Sequence, residues 1–271
     1  MGSLAFATGP LHLDEDGDDL RADLGAALSE ALGAHVVVSA ERSYAALRER
    51  VISGGAALAW LPPVLYVRAH EQGAIGAVLR AERSAGGGYQ GAIFVREDSR
   101  VRSAEDLRGV RVAWVDRDSC AGYLFPRIAL RDAGIDPDAC FRSETFAESH
   151  ARVVAAVASG GVEAGATHVQ VQDPAHPERG LALAGWAAFA DPRAMRAVVV
   201  SASIPCDTVC VGAGLPAEER ARFVTRLSRA HEQPLLSQLL RAMLGADRLT
   251  PGSPEDYRPV RSALVAEGAL L

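Results

Sequence analysis

Short apolar runs alternate with helix-spaced segments along nearly the whole chain, and this alternation restricts the fold more than any other feature. Residues 4–7 read as a first strand. Residues 20–32 carry Leu20, Leu24, Ala27, Leu28 and Leu32 at helical spacing, and 36–38 follow as a strand. Further along, 44–53 reads as a helix, 56–60 as a buried strand, and 62–71 as a helix opened by Pro62 and Pro63. Strands at 77–81 and 92–95 flank the loop 84–88, and a short helix at 104–107 precedes a strand at 110–115. The pattern then gives a helix from Gly122, a strand at 142–146, a helix at 149–159 capped by Ser149, and a strand at 162–169. The run 194–204 continues through Pro205 into 208–211, and helices including 217–231 and 235–244 close the chain. Strands separated by helices predict an α/β fold with a mostly parallel sheet, in which ligands lie beyond the carboxyl ends of the strands.

At 271 residues the chain can build one large domain or two smaller ones with real cores. With 49% hydrophobic and 23% charged residues it has a globular composition, not a disordered one. The net charge of −6, with no basic cluster, argues against a nucleic-acid partner. All 28 basic residues are arginine. The most apolar run, 56–67, is too short to span a membrane and contains two prolines. No secretory signal is legible at the start, so the expected location is periplasmic if such a segment has been removed and cytoplasmic otherwise. The four cysteines (Cys120, Cys140, Cys206, Cys210) lack the spacing of a disulfide framework and read as free thiols.

The most informative stretch is 114–127, W-V-D-R-D-S-C-A-G-Y-L-F-P-R. An apolar strand ends in a polar cluster, and Pro126, having no N–H to donate, belongs in a first helical turn, which puts the helix start at about Gly122–Tyr123. Ser119, Cys120, Ala121 and Gly122 then lie where backbone N–H groups and the positive helix end converge, a place suited to anions; the plain alternative is a strand–turn–helix joint capped by Ser119. The string Gly86-Gly87-Gly88-Tyr89-Gln90-Gly91 matches a dinucleotide-binding pattern by letter, but it leads into a strand and reads as a loop. His168 and His176 flank a polar loop without a third ligand, so no metal is expected, and no cofactor motif is present.

Several segments occur in an order that resembles phosphate/phosphite/phosphonate-binding proteins, solute receptors of the type 2 periplasmic-binding-protein fold. They are Ser43-Tyr44-Ala45-Ala46-Leu47, Ala59-Trp60-Leu61-Pro62-Pro63, Tyr89, the 114–127 stretch, Glu148-Ser149-His150, residues 157–166, and Ile204-Pro205-Cys206-Asp207. The resemblance covers roughly residues 40–212. It implies two α/β lobes joined by a two-strand hinge: lobe one from 1–88 and 209–271, lobe two from 92–203, with hinge strands near 89–95 and 204–208. It further implies a small, anionic solute of phosphonate, phosphate or carboxylate type in the interlobe cleft, closed upon by hinge motion. Tyr44 and Tyr89 match cleft-facing tyrosines, and His150 matches a histidine that hydrogen-bonds the anion. Ser119 matches the first residue of a Ser-Thr-Ser-Gly loop; Cys120 and Ala121 replace its next two hydroxyl donors, and Gly122 is kept. Gln170 stands where aminoalkyl-phosphonate binders carry a glutamate, Asp207 retains a second acidic position, and Glu163 reads as structural. The implied partners are an ABC-importer permease or a signalling kinase. The same fold hosts enzymes, so an alternative is a dehydratase- or synthase-like activity using Cys120 as nucleophile and His150 as base.

Overall fold

The computed structural model describes residues 3–10, 17–83, 88–173, 176 and 179–270. In chain order it contains β1 (Leu4–Thr8), α1 (Gly17–Leu32), β2 (Val36–Ala40), α2 (Tyr44–Ile52), β3 (Leu58–Leu61), α3 (Pro63–Glu71) and β4 (Ile75–Glu82). Next come β5 (Tyr89–Arg96), β6 (Arg111–Trp114), α4 (Phe125–Asp132), α5 (Pro137–Cys140), β7 (Ser143–Phe146), α6 (His150–Ala158), β8 (Ala164–Val171), β9 (Leu181–Ala184) and β10 (Met195–Ile204). The last elements are β11 (Thr208–Gly212), α7 (Ala217–Ser228), α8 (Pro234–Leu244), β12 (Arg248–Pro251) and α9 (Arg258–Ala266). The helix read at 104–107 is a single 3-10 turn, Glu105–Leu107, and the one read to 231 ends at Ser228 before a separate 3-10 turn, Ala230–Glu232. Gly86 and Gly87 of the glycine string lie outside the described residues; its remainder enters β5.

The chain divides into two compact units. One comprises Met1–Gly87, Pro205–Arg261 and Leu270–Leu271, the other Gly88–Ile204 and Ser262–Ala269. The segment Ser262–Ala269 therefore groups with the second unit, whereas the sequence division gave all of 209–271 to the first.

In the first unit the sheet order is β12-β4-β11-β3-β1-β2. Strand β1 runs parallel to β2 and β3, and β11 is antiparallel to β3 and β4. The helical repeat in α1 puts Leu24, Leu28 and Leu32 against Phe6 of β1, all fully buried. Each such side chain contributes about 1.5–3 kcal/mol of burial. Ser43 caps α2 by accepting the Ala46 N–H at 3.1 Å, and Gly245 ends α8 in the left-handed conformation that glycine adopts without strain.

In the second unit the order is β10-β5-β8-β6-β7, with β9 on β8. Strand β6 is parallel to β7 and β8, and β5 is antiparallel to β8 and β10. Strand alternation divides the core between two faces. Ile93, Val95, Val112 and Trp114 pack with Leu130 of α4 on one face, while Ala92 and Phe94 pack with Val153, Val157 and Trp186 on the other. Arg127 of α4 is nearly sealed, its side chain 3% exposed, and it pairs with Asp138, Glu144 and Glu267. Glu144 also accepts the Trp114 indole N–H at 2.6 Å. Glu267 thereby joins the end of the chain to α4.

All four cysteines are buried thiols outside any disulfide, and burial pushes the Cys210 thiol up to about 12. Glu163, just before β8, has the structural role read for it. Its carboxylate accepts the Arg111 backbone N–H at 2.8 Å and the guanidinium at 2.9 and 3.0 Å, which ties the loop before β8 to the start of β6. These side-chain hydrogen bonds hold the Glu163 carboxyl down to about 2. A carboxyl whose folded pKa is depressed contributes stability above its unfolded value and loses it as pH falls towards the folded value. Glu163→Gln should therefore lower stability at pH 7, and the gap to the wild type should close steadily between the ordinary carboxylate range and about pH 2. Urea unfolding across that range checks it; a gap independent of pH would assign the loss to packing.

Candidate functional site

The residues read as ligand contacts lie on both units. In the second unit, Ser119–Gly122 begin beyond the carboxyl end of β6, and His150 begins α6 just beyond the end of β7. These are the strand ends at which parallel sheets place their ligands.

The helix does not start at Gly122. A single π-helical turn, Cys120–Leu124, leads directly into α4. Leu124 N–H donates to the Ser119 carbonyl at 3.0 Å and Phe125 N–H to that of Cys120, each five residues back. In an α-helical ladder the Gly122 carbonyl would accept from residue 126, but that residue is Pro126 and has no N–H. The Gly122 carbonyl instead accepts the Val115 N–H at 3.1 Å and stitches the turn to the end of β6. Pro126 sits in the first turn of α4, as its chemistry requires.

Ser119 is the cap the sequence indicated, its Oγ accepting the Gly122 N–H at 3.0 Å. This corrects one part of the sequence reading. Of the four N–H groups expected to face an anion, that of Gly122 is taken by Ser119 Oγ and that of Ser119 by the Asp116 carbonyl at 3.0 Å. Cys120 and Ala121 head the turn, and both side chains are buried.

Two glycines allow this turn its position. A Cβ on Gly122 would fall 2.4 Å from Val115 Cγ2, and a Cβ on Gly91 of β5 would fall 2.8 Å from Pro126 Cδ and 2.9 Å from the Ala121 carbonyl oxygen. The turn therefore lies directly on β5.

The chain reaches His150 through a short ladder on the end of β6: Ala147 N–H donates to Trp114 O at 2.8 Å and Glu148 N–H to Val115 O at 2.9 Å. Glu148 adopts a left-handed φ of 65°, a conformation that costs a non-glycine residue about 1–3 kcal/mol, and it turns the chain into α6. Ser149 caps that helix by accepting the Arg152 N–H. The His150 ring is half-buried. Its Nδ1 lies 2.9 Å from Thr167 Oγ1 of β8, and its ring meets that of His168 edge-on with centroids 5.0 Å apart.

Tyr89 and Gln170, both half-buried, belong to the neighbouring strands β5 and β8. The β5–β8 register pairs Gln90 with Val169 and Gly91 with His168, and one further step sets Tyr89 opposite Gln170. Thr167 and Gly185 were not singled out in the sequence, and Gly91 was read only as part of a glycine-rich loop string. Their signal was faint: a threonine beside a histidine in an apolar strand, and glycines in otherwise regular segments.

In the first unit Tyr44 opens α2, with its ring against Gly9, where a Cβ would come within 3.1 Å of Tyr44 Cε1. Asp207 precedes β11 and is engaged in an ion pair with Arg83 at 3.3 Å. Arg83 is itself tied to the Gly245 carbonyl at 3.1 Å. Burial pushes the Asp207 carboxyl above the usual range, and the Arg83 charge only partly opposes this. The acidic position is thus matched by a cation from the same unit. Among the described residues, no group of three or more His, Cys, Asp or Glu side chains could hold a metal, and no helix is long and apolar enough to cross a membrane.

The architecture is that of periplasmic binding proteins. A binding protein component of an ABC phosphonate transporter from Pseudomonas aeruginosa superposes with a TM-score of 0.79 at 16% identity, covering 99% of this chain and 87% of that one. PhnD1 from Prochlorococcus marinus, in complex with methylphosphonate, superposes with a TM-score of 0.77 at 18% identity over 98% of both chains. By sequence, residues 10–257 match the profile of a family described as ABC transporter, phosphonate, periplasmic substrate-binding protein. This chain belongs to that family. The phosphate-import protein PhnD of Mycolicibacterium smegmatis is 32% identical over 166 residues, which are 56% of this chain and 51% of the relative, so the match spans about half the relative's length. None of these relatives is described as an enzyme, and the alternative built on Cys120 and His150 gains no support from them.

The close approach at Gly122 can be tested directly. Gly122→Ala should destabilise the protein by about 1–3 kcal/mol through overpacking against Val115. Adding Val115→Ala should make the double variant less destabilised than the sum of the two singles, as read by urea denaturation. Additive losses would mean that the two residues are not in contact.

Proposed function

We propose that this chain is the solute-binding component of an ABC importer, working in the periplasm and taking a small oxyanion of phosphonate, phosphate or carboxylate type. The observation that carries the reading is the turn Cys120–Leu124, which leads into α4 just beyond the carboxyl end of β6, where the positive end of a helix favours an anion. Family membership over residues 10–257 supports it, and so does His150 at the end of the neighbouring strand. Ser119, Cys120, Ala121, Gly122, His150, Tyr89 and Gln170 are the proposed contacts from the second unit, with Tyr44 and Asp207 from the first. The proposed macromolecular partner is the importer's permease.

The chemistry of the turn sets the expected strength. Backbone donors and the helix end do not depend on side-chain identity, and the helix end alone contributes about 0.3–1 kcal/mol at an exposed site. A thiol at Cys120 and a methyl at Ala121 supply no good hydrogen bond, so a phosphonate is held mainly by backbone and His150. With Gln170 in place of a carboxylate and Asp207 already paired with Arg83, an ammonium group on the solute has weak support. The reading therefore favours an anion without a cationic end.

Calorimetry with inorganic phosphate, methylphosphonate and a neutral sugar tests this. The two anions should bind and the sugar should not; sugar binding without anion binding would contradict the reading. Cys120→Thr with Ala121→Ser should strengthen methylphosphonate binding roughly tenfold or more, because each restored neutral hydrogen bond contributes about 0.5–1.5 kcal/mol. His150→Ala should weaken it by about tenfold.

A further inference from the structure

We propose that Thr167 is the positioning residue that keeps the hydrogen of neutral His150 on Nε2, so that the ring presents a donor to the bound anion. The inference rests on the proposed role of His150 as an anion contact and assigns the residue that sets its chemistry. Thr167 lies on β8, two residues beyond the last β6–β8 pair, and it is fully buried. By strand alternation it shares a face with Val169, on the side where α6 packs, and α6 begins with His150. Its hydroxyl is 2.9 Å from His150 Nδ1, and among the described residues this is the hydroxyl's one hydrogen-bond partner.

A hydroxyl sealed from water must donate its hydrogen or leave it unsatisfied, at a cost comparable to a lost hydrogen bond. The acceptor here is Nδ1. An imidazole whose Nδ1 accepts carries its hydrogen on Nε2, because the neutral ring has one donor and one acceptor. A backbone carbonyl in the same place would impose the opposite tautomer and offer an oxyanion a lone pair, which repels it. Gly185 keeps the hydroxyl enclosed: a Cβ there would fall 2.8 Å from Thr167 Oγ1 and 2.4 Å from the His168 carbonyl oxygen. Only a residue without a side chain lets the turn after β9 close over the threonine. His168 meets the ring from the side, at 5.0 Å between centroids, and limits its swing.

The test uses the full chain labelled with nitrogen-15, reading the His150 ring nitrogens by long-range proton–nitrogen correlation at a pH where the spectrum itself shows a neutral ring. Calorimetry with methylphosphonate runs in parallel. The wild type should show the hydrogen on Nε2. Thr167→Val, which keeps the shape and removes the hydroxyl, should move the ring to a mixture of tautomers and weaken methylphosphonate about 3- to 10-fold. Thr167→Ser should restore both. A wild-type ring protonated on Nδ1, or an unchanged tautomer in Thr167→Val, overturns the proposal; the wild-type spectrum decides even if the valine variant does not fold. If the tautomer shifts while methylphosphonate affinity holds, or if the wild type does not bind methylphosphonate, the positioning role stands and the ligand contact proposed for His150 is what fails.

Discussion

The candidate site depends on how closely a helix start can approach the sheet of the second unit. Three local facts permit it: no Cβ at Gly91, no Cβ at Gly122, and no N–H at Pro126. The first two remove atoms that would overlap Pro126, Ala121 and Val115. The third releases the Gly122 carbonyl from the helix ladder, and Val115 takes it up. Since Val115 also accepts the Glu148 N–H, the same end of β6 fixes the approach to His150. Turn and histidine are thus aligned by one stretch of backbone, and that alignment does not depend on which side chains occupy positions 120 and 121.

This separation of scaffold from side chain explains how the site can diverge and still serve one purpose. Helix-end donors are supplied by the fold, whereas hydroxyl donors are supplied by sequence. On the proposed reading, replacing the latter with Cys120 and Ala121 retunes strength and selectivity without disturbing the turn. Neither replacement leaves a polar atom without a partner, so the change costs the folded protein little. The same logic applies to Asp207, whose pairing with Arg83 converts a position that could take a ligand cation into part of the first unit's own structure.

Much of this was legible in the sequence because it rests on short-range rules. Helix and strand periods located most elements, though not α5, β9 or β12; Ser43, Ser119 and Ser149 were readable as caps, and Pro126 had to fall in a first turn. The fold and family followed from an ordered set of segments, none decisive alone. What escaped depends on specific pairings that no helix or strand period reveals. The π-helical turn needs Val115 to claim the Gly122 carbonyl, and the Ser119 amide is taken by the Asp116 carbonyl. Ser262–Ala269 groups with the second unit, where Glu267 meets Arg127 across 140 positions, a pairing no periodicity reveals. Thr167 and His150 are brought together only by the register of β8.

The central claim is that backbone groups at the head of the Cys120–Leu124 turn hold an oxyanion. Backbone amide spectra recorded during a titration with inorganic phosphate test it most directly. The account predicts that the largest, saturable shifts fall on the amides of Cys120 and Ala121 and on the His150 ring. Saturable binding with those signals unmoved, and the shifts gathered elsewhere on the chain, would contradict it.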